Sequence, residues 1–214
     1  MSSQRGEAFA NSQKIALTEV ERTMNTIDAI AARRSIRKFK DIPIPDEMVQ
    51  AILTAAVQAP SGHNGQPWRF IIVGSDKRAE MVRVFRKGIA AMKTRGQGVG
   101  SGDWTTVVME QAPVSIFVFN PNGLRPSAAH SVEQMLSDVV DIQSIGAAIQ
   151  NMLLAAHELG LGSLWICDVF YAYEELSEWL GETGEMIAAV SLGYADEKPG
   201  PRPRKPISEV IRFM

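Results

Sequence analysis

The chain has 214 residues, with 22 Lys and Arg against 24 Asp and Glu, and a sequence pI near 6.0. Positively and negatively charged residues are segregated along the sequence. Residues 126–197 hold twelve acids and no Lys or Arg, whereas five cations fall in residues 33–40 and four in residues 198–205. A nucleic-acid-binding domain would be basic overall, so this composition argues against that class and favours a small anionic ligand at the basic ends.

The remaining totals predict one globular domain in a reducing compartment. With 45% hydrophobic and 21% charged residues the chain can build its own core, and we expect a domain over residues 25–214 after a polar N-terminal extension over residues 1–24. Cys167 is the one cysteine, which excludes an intrachain disulfide and favours a cytoplasmic protein. No uninterrupted apolar run approaches the ~18 residues of a membrane span, so we expect no membrane partner.

The first half of the chain is predicted to form three helices and one strand. Apolar residues at 49, 52, 53 and 56 repeat at helical spacing, and loop-forming residues follow Pro60. The predicted elements are a helix over residues 25–35, a helix over 46–60, a strand over 68–73 and a helix over 76–93. Residues 95–103 are rich in glycine, so we expect no fixed element there and regard the segment as a candidate mobile lid.

The second half is predicted to alternate strands with helices. The predicted elements are a strand over residues 114–119, a helix over 132–159, a strand over 163–167, a helix over 174–180 and a strand over 186–192. The long helix carries apolar residues on more than one face, which indicates burial in the core or in a subunit interface. The whole pattern predicts an α+β fold in one piece.

Two basic clusters could hold a phosphate. Arg33, Arg34, Ser35 and Arg37 follow the first predicted helix, and Arg202 and Arg204 lie in a proline-rich tail that stiffens the backbone. Arginine forks and a hydroxyl bind phosphate through charge-assisted hydrogen bonds. The alternatives are a solvated basic face, with cations that complement a helix dipole, and a basic linker.

The side chains alone do not predict a reaction. No dinucleotide-binding G-x-G-x-x-G follows a strand, and no Walker sequence G-x-x-x-x-G-K-[ST] occurs. His63, His130 and His157 lack metal-ligand spacing, and with a single cysteine we expect no metal site. If the protein is an enzyme, a cofactor supplies the chemistry, and we predict no catalytic side chain.

Four separated segments resemble one known family. They are residues 32–39 (ARRSIRKF), 59–70 (APSGHNGQPWRF), 150–163 (QNMLLAAHELGLGS) and 201–206 (PRPRKP). In this order and at these separations the segments resemble the FMN-dependent nitroreductase family over about residues 26–214. The resemblance implies an α+β sandwich, with a central, mainly antiparallel sheet flanked by helices. It also implies an intertwined homodimer that holds one FMN per active site at the subunit interface.

The resemblance implies a set of FMN-binding residues and no catalytic one, because the flavin N5 performs the chemistry. Around the phosphate it implies Arg33, Arg34, Ser35, Arg37, Arg202 and Arg204. From the partner subunit, near the ring and ribityl chain, it implies Pro60, Ser61, Gly62, Asn64 and Gln66. Beside the ring it implies the backbone of Trp165, Ile166, Cys167 and Asp168, and on the long helix Gln143 and Ser144. Departures from the commoner family pattern are Gly62 and His63 in the loop, and Cys167 and Asp168 near N5.

The implied activity is transfer of reducing equivalents from NADH or NADPH to a nitroaromatic, quinone or similar small acceptor, by ping-pong kinetics. Two alternatives remain open from the sequence. The first is a specialised reaction on the same fold: dehalogenation, dehydrogenation or flavin breakdown. The second is a flavin- or phosphate-binding module without turnover.

Overall fold

The computed structural model describes residues 25–214, so the extension predicted for residues 1–24 lies outside the described residues. The helices are α1 (Thr26–Ala32), α2 (Asp46–Ala56), α3 (Ser75–Thr94), α4 (Gly102–Gln111), α5 (Val132–Glu158) and α6 (Tyr173–Leu180). The strands are β1 (Arg69–Val73), β2 (Val114–Asn120), β3 (Gly162–Ile166) and β4 (Glu185–Gly193). Single 3-10 turns lie at Gly62–Asn64, Asp168–Ala172 and Ile207–Glu209.

The four strands form one sheet in the order β1-β2-β4-β3, and each of its three pairings is antiparallel. Alternate residues of β2 point to opposite faces, as the two-residue period of a strand requires. Ile116 and Val118 pack with α2 and α5, whereas Phe117 and Phe119 pack with α3, α4 and α6. Helices therefore cover both faces, and the predicted α+β sandwich with a mainly antiparallel sheet is confirmed.

Helix α5 is the longest element, and its two halves have different surroundings. Ser131 caps it by accepting a hydrogen bond from the Gln134 backbone N–H at 3.1 Å. The second half buries Ile145, Ile149 and Met152 against the sheet. The first half exposes apolar side chains to solvent: Val132, Met135, Leu136, Val139, Val140 and Ile142. By length and mean hydropathy alone α5 could cross a membrane, a test that core helices also pass.

Helix α4 corrects the expectation of no fixed element in residues 95–103, since it begins at Gly102. Its first turn is anchored from a distant part of the chain. The Asp168 carboxylate accepts hydrogen bonds from the hydroxyls of Ser101 at 2.6 Å and Thr105 at 2.5 Å. Gly102 also packs closely against an aromatic ring: a Cβ at position 102 would lie 3.1 Å from Tyr171 Cδ2. Long-range contacts therefore order a segment whose composition alone predicts a loop.

Candidate functional site

The chain after α1 runs along the edge of the sheet and fixes the first basic cluster. Ser35 pairs with Ser163 in a parallel bridge, and the Ile36 backbone N–H donates to the Ser163 carbonyl at 2.9 Å. This approach requires a glycine in β3, since a Cβ on Gly162 would lie 2.9 Å from three atoms of Ile36. The Arg37 backbone N–H donates to the Glu197 carboxylate, which ties the start of the tail to the same edge.

The two basic clusters meet at one small cavity of about 90 Å³, here called the arginine cavity. Its lining residues are Arg33, Arg34, Ser35, Arg37, Pro199, Gly200, Arg202 and Arg204. Within residues 25–214, none of its five arginines forms an ion pair with a carboxylate. Backbone carbonyls hold several of them instead: Arg34 donates to Ala31 O at 2.7 Å, and Arg37 donates to Ser35 O at 3.2 Å.

The electrostatics of the arginine cavity suit an anion. Burial, followed by the positive charges of Arg204 and Arg34, lowers the pKa of the Arg33 guanidinium. Burial and then Arg33 also lower the pKa of His157, which lines an adjoining cavity of about 510 Å³. Burial is the larger cause of each shift and neighbouring positive charge adds to it, so a bound anion would be attracted to this cavity.

Trp104, on α4, lies beside this cluster and was not anticipated from the sequence. The guanidinium carbon of Arg37 is 5.9 Å from the centroid of its indole ring, which is within the range of a cation–π interaction. Trp104 is 50% exposed, so one side of its ring stays open to solvent. Trp104 directly follows the segment of residues 95–103 that was predicted to lack a fixed element, and a lone tryptophan there offered no signal for this contact.

The loop of residues 60–66 has a strained backbone and rests on α5. His63, Asn64 and Gln66 adopt positive φ values of 50°, 56° and 48°, a conformation that non-glycine residues rarely hold outside functional sites. The Gly62 backbone N–H donates to Ser144 Oγ at 3.2 Å, and a Cβ on Gly62 would overlap Val140 Cγ1. Glycine at position 62, which departs from the commoner family loop, therefore permits this close packing.

Several predicted site residues lie away from the arginine cavity in this chain. Pro60, Ser61, Gly62, Asn64 and Gln66 are on the loop, and Gln143 is exposed on α5. Their contribution to a partner's site stays a prediction. The Ser144 hydroxyl is already engaged, since it accepts from Gly62 and donates to the Val140 carbonyl at 2.8 Å. In this protomer Ser144 therefore anchors the loop.

A second, larger cavity of about 900 Å³ lies at the other end of β3 and is here called the apolar cavity. Its lining includes Trp165, Cys167, Phe170, Met186 and Ile187, with Arg95 and Glu185 among its polar residues. At about 3.3 Å per residue, Ser163 and Cys167 are about 13 Å apart along the strand. Ser163 lines the cavity of about 510 Å³, which shares Arg33 and Arg34 with the arginine cavity, so β3 runs from that cavity to the apolar cavity.

The structure corrects the expected strand at residues 163–167, since β3 ends at Ile166. Ile166 is buried in the core between Trp165 and Cys167, which both line the apolar cavity. Asp168 begins a 3-10 turn and directs its carboxylate to Ser101 and Thr105. Burial, then the charge of Asp168, raises the pKa of the Cys167 thiol, which keeps it protonated and weakly nucleophilic.

A buried polar cluster borders the apolar cavity and was missed from the sequence. Asn120 and Glu185 face each other where β2 and β4 pair. Asp138, from α5, lies buried nearby and contacts His130 Nδ1 at 3.2 Å and Gln134 Nε2 at 2.6 Å. These residues are far apart in the chain and form no motif, so only the packing of α5 on the sheet brings them together.

Comparisons with known proteins identify the family of this chain. A model of the Nitroreductase family matches residues 30–194. The NADPH-flavin oxidoreductase of Vibrio harveyi is 30% identical over 191 residues, which cover 87% of this chain and 72% of that protein. The structure of NADPH:FMN oxidoreductase from Vibrio harveyi complexed with NAD+ is 28% identical, with a TM-score of 0.68, and the match covers 89% of this chain and 77% of that one.

A BluB-like flavoprotein from Clostridium difficile 630 has a similar structure, with 28% identity and a TM-score of 0.70. That match covers 89% of this chain and 99% of that chain. The resemblance first drawn from four short segments thus extends over most of the sequence and over the whole sandwich. This chain belongs to the nitroreductase family.

Proposed function

We propose that this protein is an FMN-dependent oxidoreductase that transfers reducing equivalents from NADH or NADPH to a nitroaromatic, quinone or similar small acceptor. We further propose that it works as a cytoplasmic homodimer. The observation that carries the proposal is the arginine cavity, in which cations from two distant segments meet without a carboxylate partner among residues 25–214. The names of the two Vibrio harveyi relatives support the same class of activity.

The residues present fit FMN at both of its ends. A phosphate would relieve the crowding of positive charge that lowers the pKa of Arg33, and the Ser35 hydroxyl lines the same cavity. At the other end of β3, the apolar cavity offers Trp165 and the backbone on either side of Ile166 to a flat aromatic ring. The separation of about 13 Å between Ser163 and Cys167 suits a ligand with a phosphate at one end and a ring at the other.

When bound, FMN supplies the redox chemistry by accepting two electrons from NADH or NADPH and passing them to the acceptor. The chain's own residues hold and orient the reactants. The arginine cavity holds the anionic end, the backbone at Cys167 and Asp168 approaches the ring, and the apolar cavity holds reductant and acceptor in turn. One shared cavity predicts ping-pong kinetics.

The proposed homodimer also assigns a role to the predicted FMN-binding residues that lie away from the arginine cavity. The strained loop, with Pro60, Ser61, Gly62, Asn64 and Gln66, would reach the partner's cofactor, with Gln143 beside it on α5. Support comes from its positive φ angles and from the exposed apolar half of α5, against which the loop already packs. Ser144 would act by fixing the loop.

A purified sample tests the proposal directly. We expect a yellow protein that releases FMN on denaturation, that loses its flavin absorbance when NADH or NADPH is added without oxygen, and that regains it on addition of a quinone or nitroaromatic. A protein that is colourless and stays so with added FMN would contradict the cofactor. Bleaching without reoxidation by either acceptor would contradict the acceptor class and favour a specialised reaction.

A further inference from the structure

Glu185 is a carboxyl group at the wall of the apolar cavity that the proposed function has not yet used. It begins β4, opposite Asn120 at the end of β2, and shares the cavity lining with Trp165 and Cys167. Its Oε2 is buried without a hydrogen-bond partner among the described residues, as is the amide nitrogen of the fully buried Asn120. Both atoms converge on Gly123, where a Cβ would lie 2.6 Å from Oε2 and 2.7 Å from Asn120 Nδ2.

The charged groups around Glu185 favour its protonated form. Asp138 and Asp141 approach it from α5, and His130 approaches from the loop before α5. Burial and then Asp138 raise the pKa of Glu185, and the opposing effects of His130 and Asn120 are smaller. Tyr173 is also near, but its hydroxyl accepts from the Met186 backbone N–H at 2.9 Å. Glu185 therefore keeps its proton at pH values where an ordinary glutamate is ionised.

Reduction of a quinone needs such a proton. The acceptor gains a hydride equivalent, which NADH or NADPH supplies through the cofactor under the proposed function, and one further proton on oxygen. Two other ionisable groups of the cavity wall are poorer donors. Glu174 is ion-paired with Arg125 at 2.7 Å, and the Cys167 thiol has a raised pKa. An efficient donor has a pKa near the working pH, and the shift of the Glu185 pKa is in that direction.

We propose that Glu185 is the proton donor to the electron acceptor, a role that rests on the proposed function. As the hydride equivalent reaches the quinone, the O–H bond of the Glu185 carboxyl breaks and a new O–H bond forms on the acceptor oxygen. The quinone is reduced to a hydroquinone and Glu185 is left as a carboxylate. Solvent at the cavity mouth then returns the proton. Asp138 acts as a positioning residue, because its negative charge adds to the effect of burial in favouring the protonated carboxyl.

The test compares acceptors that do and do not take up protons. In the flavin-loaded E185Q variant we expect bleaching by NADH or NADPH at the wild-type rate and reoxidation by a quinone slowed about 10²-fold. Reoxidation by ferricyanide, which accepts electrons without protons, should match the wild type. E178Q, which alters an exposed carboxylate on α6, is the matched control and should behave as wild type with both acceptors.

A second readout does not depend on turnover. In a carbon-13 NMR titration of labelled glutamate carboxyls, we expect one resonance above the usual pKa range that is missing in E185Q and moves to lower pH in D138N. A Glu185 that titrates in the usual range would overturn the proposal. The proposal would also be overturned if the E185Q substitution slowed reoxidation by ferricyanide as much as reoxidation by quinone, or slowed neither reaction. A wild-type protein that NADH and NADPH fail to bleach would instead overturn the proposed function itself.

Discussion

At the scale of single residues, the unusual feature is a group of arginines brought together without acids. Arg33 is half-buried, and its pKa is lowered by burial and by the charges of Arg204 and Arg34. Several other arginines among residues 25–214 are paired with carboxylates, as Arg78 is with Asp41 at 3.2 Å. Repulsion between the crowded arginines lowers the stability of the free protein. A bound anion removes that repulsion, so the crowding raises the affinity for an anion.

We therefore expect R33A and R204A each to weaken FMN binding about ten- to a hundredfold. Each would remove a charge-assisted hydrogen bond of about 1.5–3 kcal/mol, and 1.4 kcal/mol is about tenfold in Kd. Titration of free FMN into flavin-depleted protein, followed by quenching of flavin fluorescence, measures the change. R78A is the matched control, because it removes an arginine that is paired with Asp41 outside the cavity. Equal affinity in R33A, R204A and R78A would place the phosphate elsewhere.

Glu185 also predicts how stability changes with pH. Burial and then Asp138 raise its pKa in the folded protein. A raised folded pKa means that its favourable contribution is complete below the unfolded value of about 4.3 and is lost as the pH rises through the folded value. We expect the Tm of the wild type to fall more than that of E185Q between acidic and neutral pH. Thermal unfolding followed by circular dichroism across this pH range, with E178Q as control, tests this expectation. Parallel curves of Tm against pH for E185Q and the wild type would contradict the raised pKa of Glu185.

At the scale of elements, the loop of residues 60–66 and helix α5 behave as one unit. Gly62 sits against Val140 so closely that any Cβ would overlap it, and Ser144 holds the Gly62 backbone. Overpacking of this kind costs about 1–3 kcal/mol. Small shifts of the loop backbone do not relieve this overlap, because three residues of the loop are already held at positive φ.

A double-mutant cycle tests this contact. We expect G62A to lower the free energy of unfolding by about 1–3 kcal/mol, and V140A, at a half-exposed position, to lower it little. The double variant should be close to V140A alone, since removing the valine methyl groups makes room for the new Cβ. Urea unfolding of the four proteins measures the coupling. Strictly additive effects would mean that the loop does not rest on Val140.

The elements also show which parts of the structure are readable from sequence. Helix α5 was predicted within one residue at its end because its signals are local: a sustained apolar pattern and a glycine at position 160. Helix α4 was missed because its first turn depends on Asp168, more than sixty residues away. The cluster around Glu185 was missed for the same reason, whereas the arginines were found because each group is contiguous.

At the scale of the whole molecule, the sandwich leaves an apolar surface of helix α5 uncovered. The sheet is covered on both faces, yet the first half of α5 exposes a row of side chains that includes Leu136, 64% exposed, and Val139, 50% exposed. Contiguous apolar surface of this kind marks an interaction site. The loop of residues 60–66 borders it, so a second copy seated there would bring that loop towards its neighbour's cofactor.

We therefore expect the wild type to have about twice the 23.4 kDa mass of the chain by light scattering, and the double variant L136E/V139E to be a monomer. Two carboxylates at the centre of an apolar interface would be desolvated without partners, which strongly opposes association. The monomer should also lose FMN, because each site would lack the loop supplied by its partner. V107E, which places the same charge on the half-exposed surface of α4, should stay dimeric and yellow. If L136E/V139E remained dimeric, the interface would lie elsewhere; if it became monomeric but kept its flavin, one chain would bind FMN alone and the shared site would be wrong.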